Sequence, residues 1–144
     1  MRRIALVLVF VLLASVAFAQ TSAGIIIGEP SGLSGRQWIG DGAALDLALA
    51  WSFFPEGSFY IHLDYKQHFY DFDVYTGRLL AFAGIGPMVY IGSAVTLGAR
   101  IPVGLIYEFD PAPLEIFVEV APGLTLVPRT RANVGGGLGI RYRF

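Results

Sequence analysis

The last stretch of the chain constrains its fold most tightly. From Ala132 to Phe144 the even positions Val134, Leu138, Ile140, Tyr142 and Phe144 are apolar, while the odd positions Asn133, Gly135, Gly137, Gly139, Arg141 and Arg143 are polar, small or charged. This is the period-two pattern of a strand with one oily face. It suits a sheet that meets lipid on one side and a polar lumen on the other. The opposite end of the chain agrees. Arg2 and Arg3 precede an apolar run from Ile4 to Val16, followed by Ala17-Phe18-Ala19. A basic start, a short greasy stretch and an Ala-x-Ala exit predict a secretory signal peptide cut before Gln20. The run is short for a membrane-spanning helix. The expected organisation is a signal peptide at 1–19 and one β-barrel domain at 20–144.

Composition narrows the choices further. The chain is 55% hydrophobic and has no cysteine, so disulfides and attachment of lipid to an N-terminal cysteine are ruled out. Without Arg2 and Arg3, eight Lys/Arg stand against eleven Asp/Glu, a balance of about −3 that gives no support to nucleic-acid binding. No segment after residue 19 has the uninterrupted apolar length of a transmembrane helix. An exported, strongly apolar chain of this kind is either a soluble fold with a large core or a closed barrel that hides its backbone polarity from lipid.

Alternation favours the barrel. Leu45, Leu47, Leu49, Trp51 and Phe53 alternate with Ala44, Asp46, Ala48, Ala50 and Ser52. After the turn at Phe54-Pro-Glu-Gly57, Phe59, Ile61, Leu63, Tyr65 and Phe69 alternate with Tyr60, His62, Asp64, Lys66 and His68, interrupted on the apolar side by Gln67. Residues 95–108 and 114–121 repeat the scheme. Weaker strands are read at 23–28, 31–39 and 78–91, the last with a bend expected at Gly84–Pro87. Asp71-Phe-Asp73 reads as a solvated turn. The fold class expected is all-β: a closed antiparallel up-and-down transmembrane barrel of about eight strands. An even count puts both ends on the periplasmic side. Trp51, Phe53 and Phe59 then form an outer aromatic girdle and Tyr65, Phe69, Tyr107, Tyr142 and Phe144 an inner one.

Every charge in the well-patterned strands falls on the face opposite the apolar one. The acids are Asp46, Asp64, Glu108, Glu115 and Glu119; the bases are Lys66, Arg100, Arg141 and Arg143. Near-balance predicts mutual pairing, because an unpaired charge in a low-dielectric interior is costly. An interior of about eight strands is only wide enough for side chains to fill. A plugged, charge-paired lumen is therefore expected, with Gly135, Gly137 and Gly139 leaving room for Arg100 or neighbouring long side chains. Sharper readings of the same residues are weaker. His62 and His68 lie about 20 Å apart along one strand face and cannot share a metal ion. Glu115 and Glu119 lie about 13 Å apart, too far for a carboxylate pair. Ser52 and Ser58 are the serines nearest a histidine, but no spacing singles them out as nucleophiles. No catalytic site, metal or cofactor is expected. Arg129 and Arg131, in an expected outer loop, are candidates for contact with lipopolysaccharide phosphates.

Four stretches carry a family resemblance: Gly28-Glu-Pro-Ser-Gly-Leu-Ser-Gly35, Leu97-Gly-Ala-Arg-Ile-Pro-Val-Gly104, Pro113-Leu-Glu-Ile-Phe-Val-Glu-Val-Ala-Pro122 and Gly136-Gly-Leu-Gly-Ile-Arg-Tyr-Arg-Phe144. On these the chain resembles the small OmpA/OmpX-type outer-membrane β-barrels and, more narrowly, a family of small exported bacterial barrels. The resemblance implies a fold and a membrane rather than an activity. The ending also resembles the signal read by the barrel-assembly machinery, which implies that Ile140, Tyr142 and Phe144 form the recognised face. The short turns depart from larger members, whose long outer loops carry adhesion or receptor work. The expected protein is a monomer of the bacterial outer membrane, structural or interaction-based in role and not an enzyme, in contact with outer-membrane lipid and lipopolysaccharide. The alternatives are a small barrel around an apolar ligand, a narrow pore and a lipid-modifying barrel enzyme.

Overall fold

The computed structural model describes residues 20–53 and 57–144; the expected signal peptide at 1–19 and residues 54–56 of one turn lie outside them. Nine strands follow in order: β1 (Thr21–Glu29), β2 (Ser31–Trp38), β3 (Ala43–Ser52), β4 (Ser58–Val74), β5 (Gly77–Ile91), β6 (Val95–Arg100), β7 (Val103–Phe109), β8 (Leu114–Val127) and β9 (Arg131–Arg143). All pair antiparallel with their neighbours, and β1 pairs with both β2 and β9, which closes the ring.

Nine segments make eight barrel strands. β5 pairs with β7 over Gly77–Ala83 and with β6 over Gly86–Ile91, and β8 divides its partners in the same way. β6 and β7 are thus two halves of one strand, broken at Ile101-Pro102. Proline cannot donate to a ladder. The break still keeps its hydrogen bonds: the Gly84 N–H donates to the Pro102 carbonyl at 2.8 Å and the Ile101 N–H to the Pro122 carbonyl at 2.8 Å. The interruption falls in this strand, whereas β5 itself runs unbroken through the expected bend at Gly84–Pro87.

β4 differs from the sequence expectation at its far end. It continues to Val74, so Asp71-Phe-Asp73 is strand and the turn lies beyond it at Tyr75-Thr76. Phe69 faces Ala81 while Asp71 faces Leu80, so one extra residue is accommodated in a bulge. The extra residue shifts the apolar positions from odd to even. Phe72 and Val74 therefore stay exposed beyond the point where simple alternation would turn them inward.

The outward positions are apolar and exposed, and the inward ones are buried. Leu47, Leu49, Trp51, Leu63, Val103, Val118 and Ile140 all face out, whereas Asp46, His62, Asp64, Lys66, Arg100, Glu115, Glu119 and Arg141 are buried. Two small apolar clusters share the interior: Ile26, Phe82, Ile106 and Phe117, and Ala50, Tyr60 and Met88 with Tyr90 packed against them. Room for the first is made by glycine. A Cβ on Gly139 would lie 2.2 Å from two ring atoms of Phe117, its cross-strand partner. The space left by this glycine is filled by Phe117, and the Arg141 guanidinium lies 3.9 Å over that ring.

This packing gives a first test. Gly139→Ala should cost about 1–3 kcal/mol by overpacking, read as a lower urea midpoint of the folded barrel. In a Phe117→Ala background the same change should cost less, a coupling that a double-mutant cycle measures. Equal costs in both backgrounds would contradict the contact.

Candidate functional site

The buried charges converge on Asp46. This carboxylate lies on β3, directly opposite Arg36 of β2 and Asp64 of β4 in the ladder. Arg36 donates from Nε to Oδ1 at 2.6 Å and from Nη2 to Oδ2 at 2.7 Å, a two-pronged pair. Lys66 Nζ donates to Oδ2 at 2.9 Å and Arg141 Nη2 to the same oxygen at 3.1 Å. Three cations from three strands thus share one acid.

From there the pairing spreads in two directions. Lys66 also donates to Glu119, and so does Arg100, so Glu119 of β8 bridges two cations. Arg100 Nε lies 3.3 Å from Asp64 Oδ2, and its Nη1 donates to the Tyr60 hydroxyl at 3.1 Å. His62 completes this side, with Nδ1 3.0 Å from Arg100 Nη1 and Nε2 3.3 Å from Asp64 Oδ2. On the other side Arg141 donates to Glu115 at 2.8 Å and to the Ser34 hydroxyl at 2.9 Å, and the Ser22 hydroxyl donates to Glu115 at 3.0 Å. Four bases (Arg36, Lys66, Arg100, Arg141) therefore face four acids (Asp46, Asp64, Glu115, Glu119), all of them buried. β5 supplies an aromatic partner, with Lys66 Nζ 4.5 Å from the Phe82 ring centroid.

Of the nine residues that the sequence placed in a lumen charge network, Asp46, Asp64, Lys66, Arg100, Glu115, Glu119 and Arg141 are joined in this way. Glu108 and Arg143 are not. They form a separate group at the rim where the two ends of the barrel domain meet. There Glu108 lies 3.6 Å from Arg143 and 3.7 Å from Arg78, and Arg143 also caps the carbonyls of Phe109 and Ala112. Both residues sit on the expected face, but near its end. The sequence reading missed Arg36, because β2 carries Gly32, Ser34 and Gly35 and hardly alternates. Its signal was available in the hairpin: counting back from the turn at Gly40-Asp-Gly42 sets Arg36 against Asp46.

The other candidates are placed as follows. His62 is held within the network, while His68 faces the Gly42 carbonyl at 2.9 Å and the Trp38 ring at 4.5 Å between centroids. Ser52 and Ser58 are cross-strand neighbours at the opposite end, where Ser52 donates to Glu29. Ile140, Tyr142 and Phe144 are exposed on the outer wall. Arg129 and Arg131 are exposed at the mouth remote from Thr21 and Phe144. Among the described residues no three His, Asp or Glu side chains form a metal-binding group. Chemically, the interior neutralises charge; its carboxylates are occupied by cations.

Removing the shared acid should show this. Asp46→Ala strips three buried cations of their common partner and should cost about 3–5 kcal/mol. Asp71→Ala breaks only the half-exposed pair with Arg78 at 2.6 Å and should cost about 0–1 kcal/mol. Urea unfolding of both variants in lipid vesicles compares them, and equal losses would contradict the hub.

No protein-family model and no curated protein matches the chain. The structure is similar to the N-terminal β-barrel domain of OprF from Pseudomonas aeruginosa, with a TM-score of 0.65 at 20% identity, covering 88% of this chain and 98% of that one. The chain therefore has the fold of that closed antiparallel barrel, the small-barrel architecture that the resemblance to OmpA/OmpX-type proteins implied.

Proposed function

We propose that the chain is an integral barrel of the bacterial outer membrane, closed inside by its own ion pairs, with a structural or interaction role in the cell envelope. One observation carries the reading: among the described residues the outward positions between the two rims hold no charge, while eight charged side chains are buried inside. Water-soluble surfaces seldom expose so continuous an apolar band. Hydrocarbon accepts such a wall, provided that the ring is closed and leaves no backbone edge. Ring closure also removes the edges through which sheets associate, which supports a monomer. The likeness to the OprF barrel supports the same location.

The two ends fit this placement. Trp51, Phe53 and Phe59 are exposed near one rim, and Tyr65, Phe69, Tyr142 and Phe144 near the other, as interfacial aromatics are in membrane barrels. The outward set of Ile140, Tyr142 and Phe144 suits recognition by the barrel-assembly machinery. Arg129 and Arg131, at the rim taken as external, suit contact with lipopolysaccharide phosphates. The alternatives fit less well. An apolar-ligand barrel needs the reverse sidedness. A pore needs a passage, but the network draws side chains from seven of the eight barrel strands across a lumen this narrow. A lipid-modifying enzyme needs its histidine at the lipid interface, whereas His62 and His68 point into the ring.

Cell fractionation tests the location: the protein should travel with outer membranes and migrate on gels in a heat-modifiable way, and recovery as a soluble periplasmic monomer would overturn the reading. In planar bilayers it should give no steady conductance; a stable open channel would contradict the closed interior.

A further inference from the structure

We infer that the mouth remote from Thr21 and Phe144 is a pocket for a phosphorylated saccharide. The pocket measures about 520 Å³ and is ringed by β1, β4, β5, β6, β8 and β9, a size typical of small-molecule sites. Placing it on the cell exterior rests on the function proposed above; the pocket itself does not.

Tyr90 on its wall packs against the buried group of Ala50, Tyr60 and Met88. Met88 is buried beneath it, and the Met88 side chain reaches across to β6 and β8. A Cβ on Gly98 or on Gly123 would lie 2.9 Å from the Met88 terminal methyl, so those two glycines make way for it. Tyr60 packs below, its hydroxyl 3.9 Å from the Met88 sulfur and 3.1 Å from Arg100. A ligand entering from this side meets a thioether and an aromatic ring before it can reach the ion pairs.

The walls carry two kinds of group. Arg129 and Arg131 line one side, exposed and without an ion pair among the described residues. The Thr125 hydroxyl contacts both of their backbone carbonyls, at 3.2 and 3.1 Å, and so fixes the turn that presents them. Two guanidiniums match a phosphate monoester, which carries roughly −1.5 to −2 at neutral pH, better than a single carboxylate. The remaining wall is neutral and hydrogen-bonding, with Ser58, Thr96 and Asn133, and Tyr90 adds an aromatic surface. Ser58 is 5% exposed and its hydroxyl has no hydrogen-bond partner. A buried hydroxyl left unsatisfied at a pocket wall is a position that a ligand hydroxyl can complete. Glu29, the one acid there, is held by Ser52 and by the Phe53 N–H at 3.0 Å, and it lies on the wall that would accept from sugar hydroxyls. An anion at one end and several hydroxyls along the rest describe a sugar phosphate, whether free or carried as a glycolipid headgroup.

The test uses the full barrel refolded in detergent, titrated by calorimetry with glucose 1-phosphate, glucose and inorganic phosphate. A second arm measures binding to vesicles that contain phosphorylated lipid A or its dephosphorylated form. Glucose 1-phosphate should bind at least about tenfold more tightly than either half alone. The double variant Arg129→Gln/Arg131→Gln should lose about tenfold or more. Ser58→Ala should weaken the sugar phosphate but not inorganic phosphate. Response in the vesicle arm alone would assign a lipid-borne headgroup, and response to the free compound alone a soluble ligand; either supports the site. Failure of both probes, or binding indifferent to the arginine substitutions, would overturn it. The arginines are exposed, so heat-modifiable migration of the variants verifies that they fold. An outer-membrane barrel that binds neither probe would defeat this inference alone; a soluble protein would defeat the proposed function whatever it bound.

Discussion

Charge compensation inside a narrow tube is the constraint on which the rest of the structure depends. When the outer wall must be apolar, the polar residues of an alternating strand have to point inward. In a ring of eight strands they meet there at side-chain distance. Each ion then needs a partner, because an uncompensated buried charge costs several kcal/mol. Asp46 with its three cations and Lys66 among Asp46, Asp64 and Glu119 satisfy this need collectively. Among the described residues, the ion pairs of the central network join different strands, apart from the contacts of His62 and Lys66 with Asp64 on β4.

This arrangement also fixes register. A slip of one residue along β4 would carry Lys66 to the outer wall and Tyr65 into the lumen, reversing every position of the strand. Asp46 on β3, Arg100 on β6 and Glu119 on β8 would lose their β4 partners together. Ion pairs are therefore better regarded as a specification of strand alignment than as a source of stability, for which buried pairs are weak evidence. The apolar clusters around Phe117 and Met88 fill the volume that the charges leave, with Gly139 opening the space that the Phe117 ring needs.

Much of this was legible in the residues. Alternation alone put Asp64, Lys66, Arg100 and Glu119 on one face and Leu47 and Val103 on the other, because the strand period is two and neighbouring charges reinforce the pattern. Position along the tube was not legible: Glu108 and Arg143 share the face of Glu115 and Arg141 but sit at the rim, where tilt and stagger decide who meets whom. The bulge at Phe69–Asp71 was missed because one inserted residue leaves no compositional mark. The break at Pro102 did leave one, a proline within an apolar run, and Arg36 could have been found from hairpin register. The signal-peptide reading of residues 1–19 lies outside the described structure. Function is carried least by the shared fold, which hosts different tasks on one scaffold; what distinguishes this chain lies at its mouths and in its short turns.

The two tryptophans offer the most direct measurement of sidedness. Trp51 is 48% exposed on the outer wall. Trp38 lies inside, packed against His68 with ring centroids 4.5 Å apart and tilted by 48°, and with Arg36 5.5 Å from its ring. Single-tryptophan variants, Trp38→Phe and Trp51→Phe, reconstituted in lipids with brominated acyl chains, separate the two. The account requires strong quenching of Trp51 and little of Trp38. Quenching of Trp38 with Trp51 spared, or of neither, would show that hydrocarbon does not touch the apolar wall.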